Sequence, residues 1–419
     1  MFQRAISNKF KELLHTFRCL SLTGARQVGK TFFLRNFAQE TGGTYWSFDD
    51  PLVREEANRD ALGWLTLNRK AGKPFVIDEA IKCPEIFSAV KITVDREDPV
   101  PTQIILASSG NYLLLRQIRE SLAGRVVLLK LFTLSWPELH DRSNSRLASL
   151  WTPNELVNLK RMRGMAEIDR EREQFLLMGG FPEVRARNNL QFTTEWFHQY
   201  FATYVLPLAV DLFQIAKQRS FERTFYQLAL RTAQLLNYSD IATTCDISSV
   251  TVKNYIHYLT AMMLCEEVPQ FFPSRIKQLV KSPKLHMLDP ALVLASTGVS
   301  FSLSTLQDRR LLGPIYESWI YSEIEKASHY ESQYLQITTF HTQSQSEVDL
   351  ILMQNQKMIP IEIKYKKKIA RKDLSGIKSW LEAYDEQTPA AYIIYPGHEI
   401  QQLGDKIWAL PDYFLFGVE

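Results

Sequence analysis

GARQVGKT, residues 24–31, is the stretch on which the fold turns. Two glycines bracket four residues, and a lysine and a threonine follow. RCLSL, residues 18–22, is a short apolar-leaning run ahead of it. TFFLRNFAQE behind it carries Phe32, Phe33, Leu34, Phe37 and Ala38 at helical spacing. The loop therefore lies between a predicted strand and a predicted helix, the setting that the pattern G-x-x-x-x-G-K-[ST] requires. Its glycines let the backbone curl so that amides face phosphate oxygens, and the following helix adds its positive end. On this reading Gly24, Ala25, Arg26, Gln27, Val28, Gly29, Lys30 and Thr31 cradle the phosphates of ATP. Lys30 reaches the β- and γ-phosphates and assists catalysis, and the Thr31 hydroxyl ligates Mg2+. A chance glycine turn with an exposed lysine is the plainer alternative, and the strand–loop–helix context weighs against it.

KPFVIDEA, residues 73–80, is an apolar run ending in two carboxylates. Continuous apolarity suits a strand buried on both faces of a parallel sheet, and Pro74 is placed to open it. Carboxylates at such a strand's C-terminal end emerge where ligands bind in open α/β sheets. Asp78 is expected to hold Mg2+ through water and Glu79 to polarise the attacking water as a general base. QIILASSGN, residues 103–111, reads as a third strand, followed by Ser108, Ser109 and Asn111. Ser109 is the candidate for reading the γ-phosphate or the water, against ordinary turn chemistry. Arg125, after Gly124, opens another apolar run. In a homo-oligomer it would stabilise transition-state charge in a neighbouring site; an ordinary surface arginine reads equally well.

The 419 residues suggest about two to four domains. At 45% hydrophobic and 23% charged, the chain has the composition of a globular protein with a real core. A net charge of +3 is too small to make the whole chain a nucleic-acid binder, so local patches must carry that role. Cys19, Cys83, Cys245 and Cys265 are scattered, without zinc or disulfide spacing, which suits a reducing cytoplasm. No run approaches the roughly 18 apolar residues of a membrane span.

At this point the chain resembles a family. GARQVGKT, VIDEA, ASSGNYLLL, ESLAGR and LLMGGFPEV occur in this order in prokaryotic AAA+-type P-loop ATPases that carry a C-terminal winged helix and a restriction-endonuclease-like domain. The resemblance spans nearly the whole chain. Two departures stand out: Ala25 replaces the proline usual after the first loop glycine, and Pro207 in VLPLAVD is expected to kink or end its helix. The resemblance implies an α/β ATPase core over residues 1–135 and, over 136–220, a helical lid beside the nucleotide. That second segment is rich in helix formers, with GGFPEV as a turn.

Within 237–268, Ser239 is expected to cap a helix starting at Asp240 and Ser248 the next, giving a helix-turn-helix. The second helix puts Val252, Tyr255, Ile256 and Leu259 on one face and Ser249, Thr251, Lys253, Asn254 and His257 on the other. Strands near Val268 and at KLHMLD, residues 284–289, would form the wing of a module over 221–300. Its outer face suits DNA in having asparagine and lysine, yet offers one lysine and no arginine against phosphate. A protein-contact module reads equally well. Arg275, Lys277, Lys281 and Lys284 are a basic stretch nearby.

SEVDLILMQNQKMIPIEIKYKKK, residues 346–368, reads as a hairpin with Asn355 and Gln356 as its turn. Val348, Leu350 and Leu352 then face Ile363, Ile361 and Ile359. On the other face Asp349 opposes Glu362 and Glu347 opposes Lys364. Like charges about 5 Å apart call for a cation between them, and a divalent metal is the natural candidate. The spacing is similar to that of the PD-(D/E)xK nuclease core, which would make Asp349 and Glu362 Mg2+ ligands and have Lys364 position the attacking water. Glu317, on a helix with Ile315, Trp319, Ile320 and Ile324 along one face, matches the further acidic position. Lys366, Lys367, Lys368, Arg371 and Lys372 are placed to hold a DNA backbone. The alternatives are a surface ion pair without catalysis and an inactive nuclease-like scaffold over 301–419.

Overall fold

The computed structural model describes residues 2–96, 103–109, 111–142, 145–153, 165–215, 217–273, 281–297, 302–331, 335–341 and 346–418. The chain separates into two compact units: Arg4–Leu134 with Ala261–Met263, and Met1–Gln3 with Ser135–Thr260 and Leu264–Glu419. The first break falls between Leu134 and Ser135, and of the residues from Ser135 on, all but Ala261–Met263 belong to the second unit. No helix among the described residues is long and apolar enough to cross a membrane.

The first unit is built on five strands, β1 (Cys19–Thr23), β2 (Thr44–Ser47), β3 (Phe75–Asp78), β4 (Ile104–Ala107) and β5 (Val126–Lys130). They lie in the order β2-β3-β4-β1-β5, and every pairing is parallel. This order explains the sequence patterns. The three inner strands, CLSLT, FVID and IILA, are buried at every residue, whereas the edge strands TYWS and VVLLK are only partly covered. Inner strands of a parallel sheet are covered on both faces and so read as unbroken apolar runs. Trp64 fills one face of the core, with ring centroids 5.9 Å from Trp46, 5.4 Å from Phe48 and 5.7 Å from Phe75. Each such aromatic pair adds about 0.5–1.5 kcal/mol beyond area burial.

The second unit contains two sheets. The smaller consists of β6 (Gln234–Leu235), β7 (Cys265–Val268) and β8 (Lys284–Met287), in the antiparallel order β6-β8-β7. Ahead of β7, the helix Ser249–Ala261 starts at Ser248, whose hydroxyl accepts from the Thr251 amide at 3.1 Å. It buries Val252, Tyr255, Ile256 and Leu259 as its spacing predicts. The helix before it runs Tyr238–Cys245 and is capped by Asn237, which accepts from the Asp240 amide at 3.2 Å. The expected cap at Ser239 is thus displaced by an asparagine that also reaches three residues forward. The α-helix Leu190–Tyr200 gives way to a π-helical turn, Phe201–Val205, before Leu206–Phe213 continues the helical path, so Pro207 stands just behind the π turn.

The larger sheet holds β9 (Gln336–His341), β10 (Glu347–Gln354), β11 (Lys357–Ile363), β12 (Ala391–Tyr395), β13 (Gln401–Gln402) and β14 (Ile407–Pro411), in the order β13-β14-β12-β11-β10-β9. The β10–β11 register is the one read from spacing, Leu350 to Ile361 through Gln354 to Lys357. Asn355 (φ 48°) and Gln356 (φ 66°) are both left-handed, as a two-residue turn that follows strand twist requires. On one face Trp380, fully buried, packs against Phe271, Phe340 and Tyr384. The long helix Leu312–Tyr330 is buried on nearly all sides, with the expected Ile315, Trp319, Ile320 and Ile324 joined by Ser318, Ser322, Glu323 and Lys326. Glu323 and Lys326 pair at 2.8 Å, which lets both charges sit inside.

Candidate functional site

The loop 24–29 leaves β1 and runs into the helix Lys30–Thr41. Gln27 (φ 65°) and Gly29 (φ 95°) are left-handed, and such alternation turns successive amides into an anion-binding concavity. Gly24 is needed for a different reason. A Cβ there would stand 2.4 Å from the Leu131 carbonyl oxygen, a backbone atom next to β5. Lys30 is buried, and its ammonium donates to the Gly24 and Ala25 carbonyls at 2.8 Å each. Burial lowers its pKa to about 8, and the Glu79 and Asp78 charges oppose that fall only in part.

Asp78 ends β3 and is buried. Its Oδ2 accepts from the Thr31 hydroxyl at 2.6 Å and from the Tyr45 hydroxyl at 2.7 Å. A hydroxyl and a carboxylate this close form an oxygen pair suited to a hard divalent ion, so these residues fit Mg2+. Tyr45 escaped sequence reading because it stands on β2, brought beside β3 only by the sheet order. Arg35 lies over its ring, 5.0 Å from the centroid.

Glu79 follows in a left-handed conformation, φ 52°. Non-glycine residues pay strain for that conformation, and they cluster at functional sites. Its carboxylate accepts from the Ser109 hydroxyl at 2.6 Å, the Ser109 amide at 3.3 Å and the Ser108 hydroxyl at 3.2 Å. Ser109 is thus beside the predicted base, and Ser108 joins it. The side chain of Asn111 lies outside the described residues, as do Arg275 and Lys277.

Arg125 is not at its own chain's phosphate loop. It precedes β5, whose Val126 pairs with Cys19 at the start of β1, whereas the loop leaves β1 at the other end, about 16 Å away at the usual rise per strand residue. Its guanidinium clamps Asp95 at 2.6 and 3.0 Å.

The second unit gathers another set of the expected residues. Glu317, Glu347, Asp349 and Glu362 converge with Lys284 and Lys364. Lys284 of β8 has a side chain 2% exposed and reaches Glu317 at 2.8 Å, Glu347 at 2.6 Å and Asp349 at 3.3 Å. Burial lowers the pKa of its ammonium, but the three carboxylates outweigh burial and hold it well above the ordinary lysine value. Lys364 pairs with Glu362 and stands 3.8 Å from Asp349. Glu347, expected opposite Lys364, goes to Lys284 instead. Asp349 also accepts from the Ile363 amide at 2.7 Å. Burial first, and then the Asp349 charge, raises the carboxyls of Glu317 and Glu362 to about 8.

The buried Oε2 of Glu362 has no hydrogen-bond partner, the one feature here that suits a metal. Against it, the centre already holds the Lys284 ammonium, and among the described residues no group of three or more His, Cys, Asp or Glu side chains has metal-holding geometry. As built, these residues do not fit the Mg2+ that the hairpin spacing called for. In the basic run, Lys366 is bound to Asp373 and Lys367 to Asp169, while Lys368, Arg371 and Lys372 are exposed. Lys253 lies over the Tyr238 ring, 4.9 Å from its centroid.

Residues 16–140 match the family model of an AAA domain. All of that stretch up to Leu134 lies within the N-terminal unit, which is therefore similar to an AAA domain. Residues 169–302 and 312–414 each match a domain of unknown function, DUF8612 and DUF4143. Two proteins described as uncharacterised, one from Mycobacterium bovis and one from Mycobacterium tuberculosis, are each 25% identical to this chain over 415 residues, covering 98% of it and 83% of their own length. Among solved structures, the Thermotoga maritima RuvB Holliday junction branch migration motor aligns over 63% of this chain and 90% of its own, with 14% identity and a TM-score of 0.28, too low to establish a shared fold.

Proposed function

We propose that this chain binds Mg·ATP and hydrolyses it, and that its nucleotide state controls binding by a winged helix over 221–300 and a nuclease-like domain over 301–419. The observation that carries the reading is Lys30 buried at the loop mouth, its ammonium on two loop carbonyls, beside the Thr31–Asp78 pair. Lys30 is placed to exchange those carbonyls for phosphate oxygens. Thr31 and Asp78 would hold the magnesium, which neutralises phosphate charge when bound. Glu79, tied by Ser108 and Ser109, would orient water and take its proton. Arg125, clamped by Asp95, would serve a site only in a neighbouring copy of a homo-oligomer.

DNA is the partner favoured by the exposed Lys368, Arg371 and Lys372, in a cytoplasmic setting. ATP-gated DNA cleavage is the rival role for the C-terminal domain, and Lys284 in the acidic centre favours binding over cutting. Calorimetry with Mg·ATP tests the core of the proposal. Lys30→Ala should bind about 10- to 100-fold more weakly, the value of a hydrogen bond to a charged group. Equal affinity in wild type and variant removes the reading.

A further inference from the structure

An acidic centre of four carboxylates needs cations, and the chain supplies two, Lys284 and Lys364. Lys284 arrives on β8, 33 residues before Glu317 and 65 before Asp349. Its ammonium donates to Glu317 at 2.8 Å and to Asp349 at 3.3 Å, and it forms an ion pair with Glu347 at 2.6 Å. Nothing about Lys284 is casual surface pairing, since its side chain is 2% exposed.

We infer that Lys284 is a built-in replacement for a divalent metal, locking the centre formed by Glu317, Glu347 and Asp349 so that this domain takes up no metal and cleaves no phosphodiester. A hard divalent ion draws its oxygen ligands in to about 2.0–2.6 Å. Lys284 stands among the very oxygens such an ion would need, so the two exclude each other. Outward rotation of Lys284 would strip it of three carboxylate partners, the buried Asp349 among them, and leave Asp349 facing Glu317 without the cation between them. The second lysine, Lys364, keeps Glu362 paired, and the Ile363 amide holds Asp349 in place. The lock also ties β8 of the small sheet to β10 of the large one. The inference bears on the nuclease-like reading and is independent of the ATPase reading.

Manganese alone, titrated into the full-length protein and followed by electron paramagnetic resonance, tests it. Wild type and Asp349→Asn should bind equal amounts, because the centre takes none. Lys284→Ala should gain about one further ion per chain, lost again in Lys284→Ala combined with Asp349→Asn. The inference is overturned if wild type binds an ion that Asp349→Asn removes, or if a folded Lys284→Ala gains none. Should Lys284→Ala fail to fold, the comparison of wild type with Asp349→Asn decides alone. Manganese-dependent nicking of plasmid DNA by wild type, absent in Asp349→Asn, overturns it equally. Binding of Mg·ATP through Lys30 is untouched by these variants, so failure here and failure of the ATPase reading are told apart.

Discussion

Titrating Lys30 offers a test that reaches the phosphate site directly. In the folded chain burial brings its pKa from 10.5 down to about 8. At about pH 7 roughly nine in ten molecules then carry the charged lysine, and at about pH 9 roughly one in ten. A triphosphate binds the charged form, so the apparent dissociation constant should rise about tenfold over that interval, equivalent to about 1.4 kcal/mol. Binding at about pH 9 should take up close to one proton, visible by calorimetry in buffers of contrasting ionisation heat. The sign for stability without nucleotide is opposite. The unfolded lysine keeps its proton up to 10.5 and the folded one only to about 8, so this group's contribution to stability rises with pH between those values. Lys30→Arg stays charged throughout. An affinity that is flat with pH, or that falls equally in Lys30→Arg, refutes the reasoning.

Gly24→Ala forces a Cβ to 2.4 Å from the Leu131 carbonyl, and overpacking against backbone should cost about 1–3 kcal/mol in urea unfolding; unchanged stability would show that the loop and β5 separate freely. Ser109→Ala removes the 2.6 Å bond to Glu79. The turnover number should fall about tenfold or more while KM for ATP moves little, since a hydrogen bond to a charged group contributes about 1.5–3 kcal/mol; a variant with full turnover would show that Ser109 does not position the base.

Local spacing carried much of this architecture. The phosphate loop lies between strand and helix as its flanks require, and FVID and IILA are inner strands because nothing in them faces water. The β10–β11 register follows from a two-residue turn and the strand period of two, which fix every pairing once the turn is placed. Helix starts were less legible. Asn237 and Ser239 both carry a capping oxygen, and only the folded backbone shows that Asn237 reaches an amide.

The sequence alone determined which segments become inner strands, where the glycine loop must curl and how the hairpin pairs, because each depends on neighbours within a few residues. Tertiary structure alone decided who touches whom across the sheets. Tyr45 meets Asp78 and the two serines meet Glu79 because the order β2-β3-β4 makes those strands adjacent. Arg125 is bound to Asp95, 30 residues away. Lys284 takes the place between the carboxylates that spacing assigned to a metal, since a buried charge is settled by whichever opposite charge the fold delivers, and no local pattern specifies that delivery.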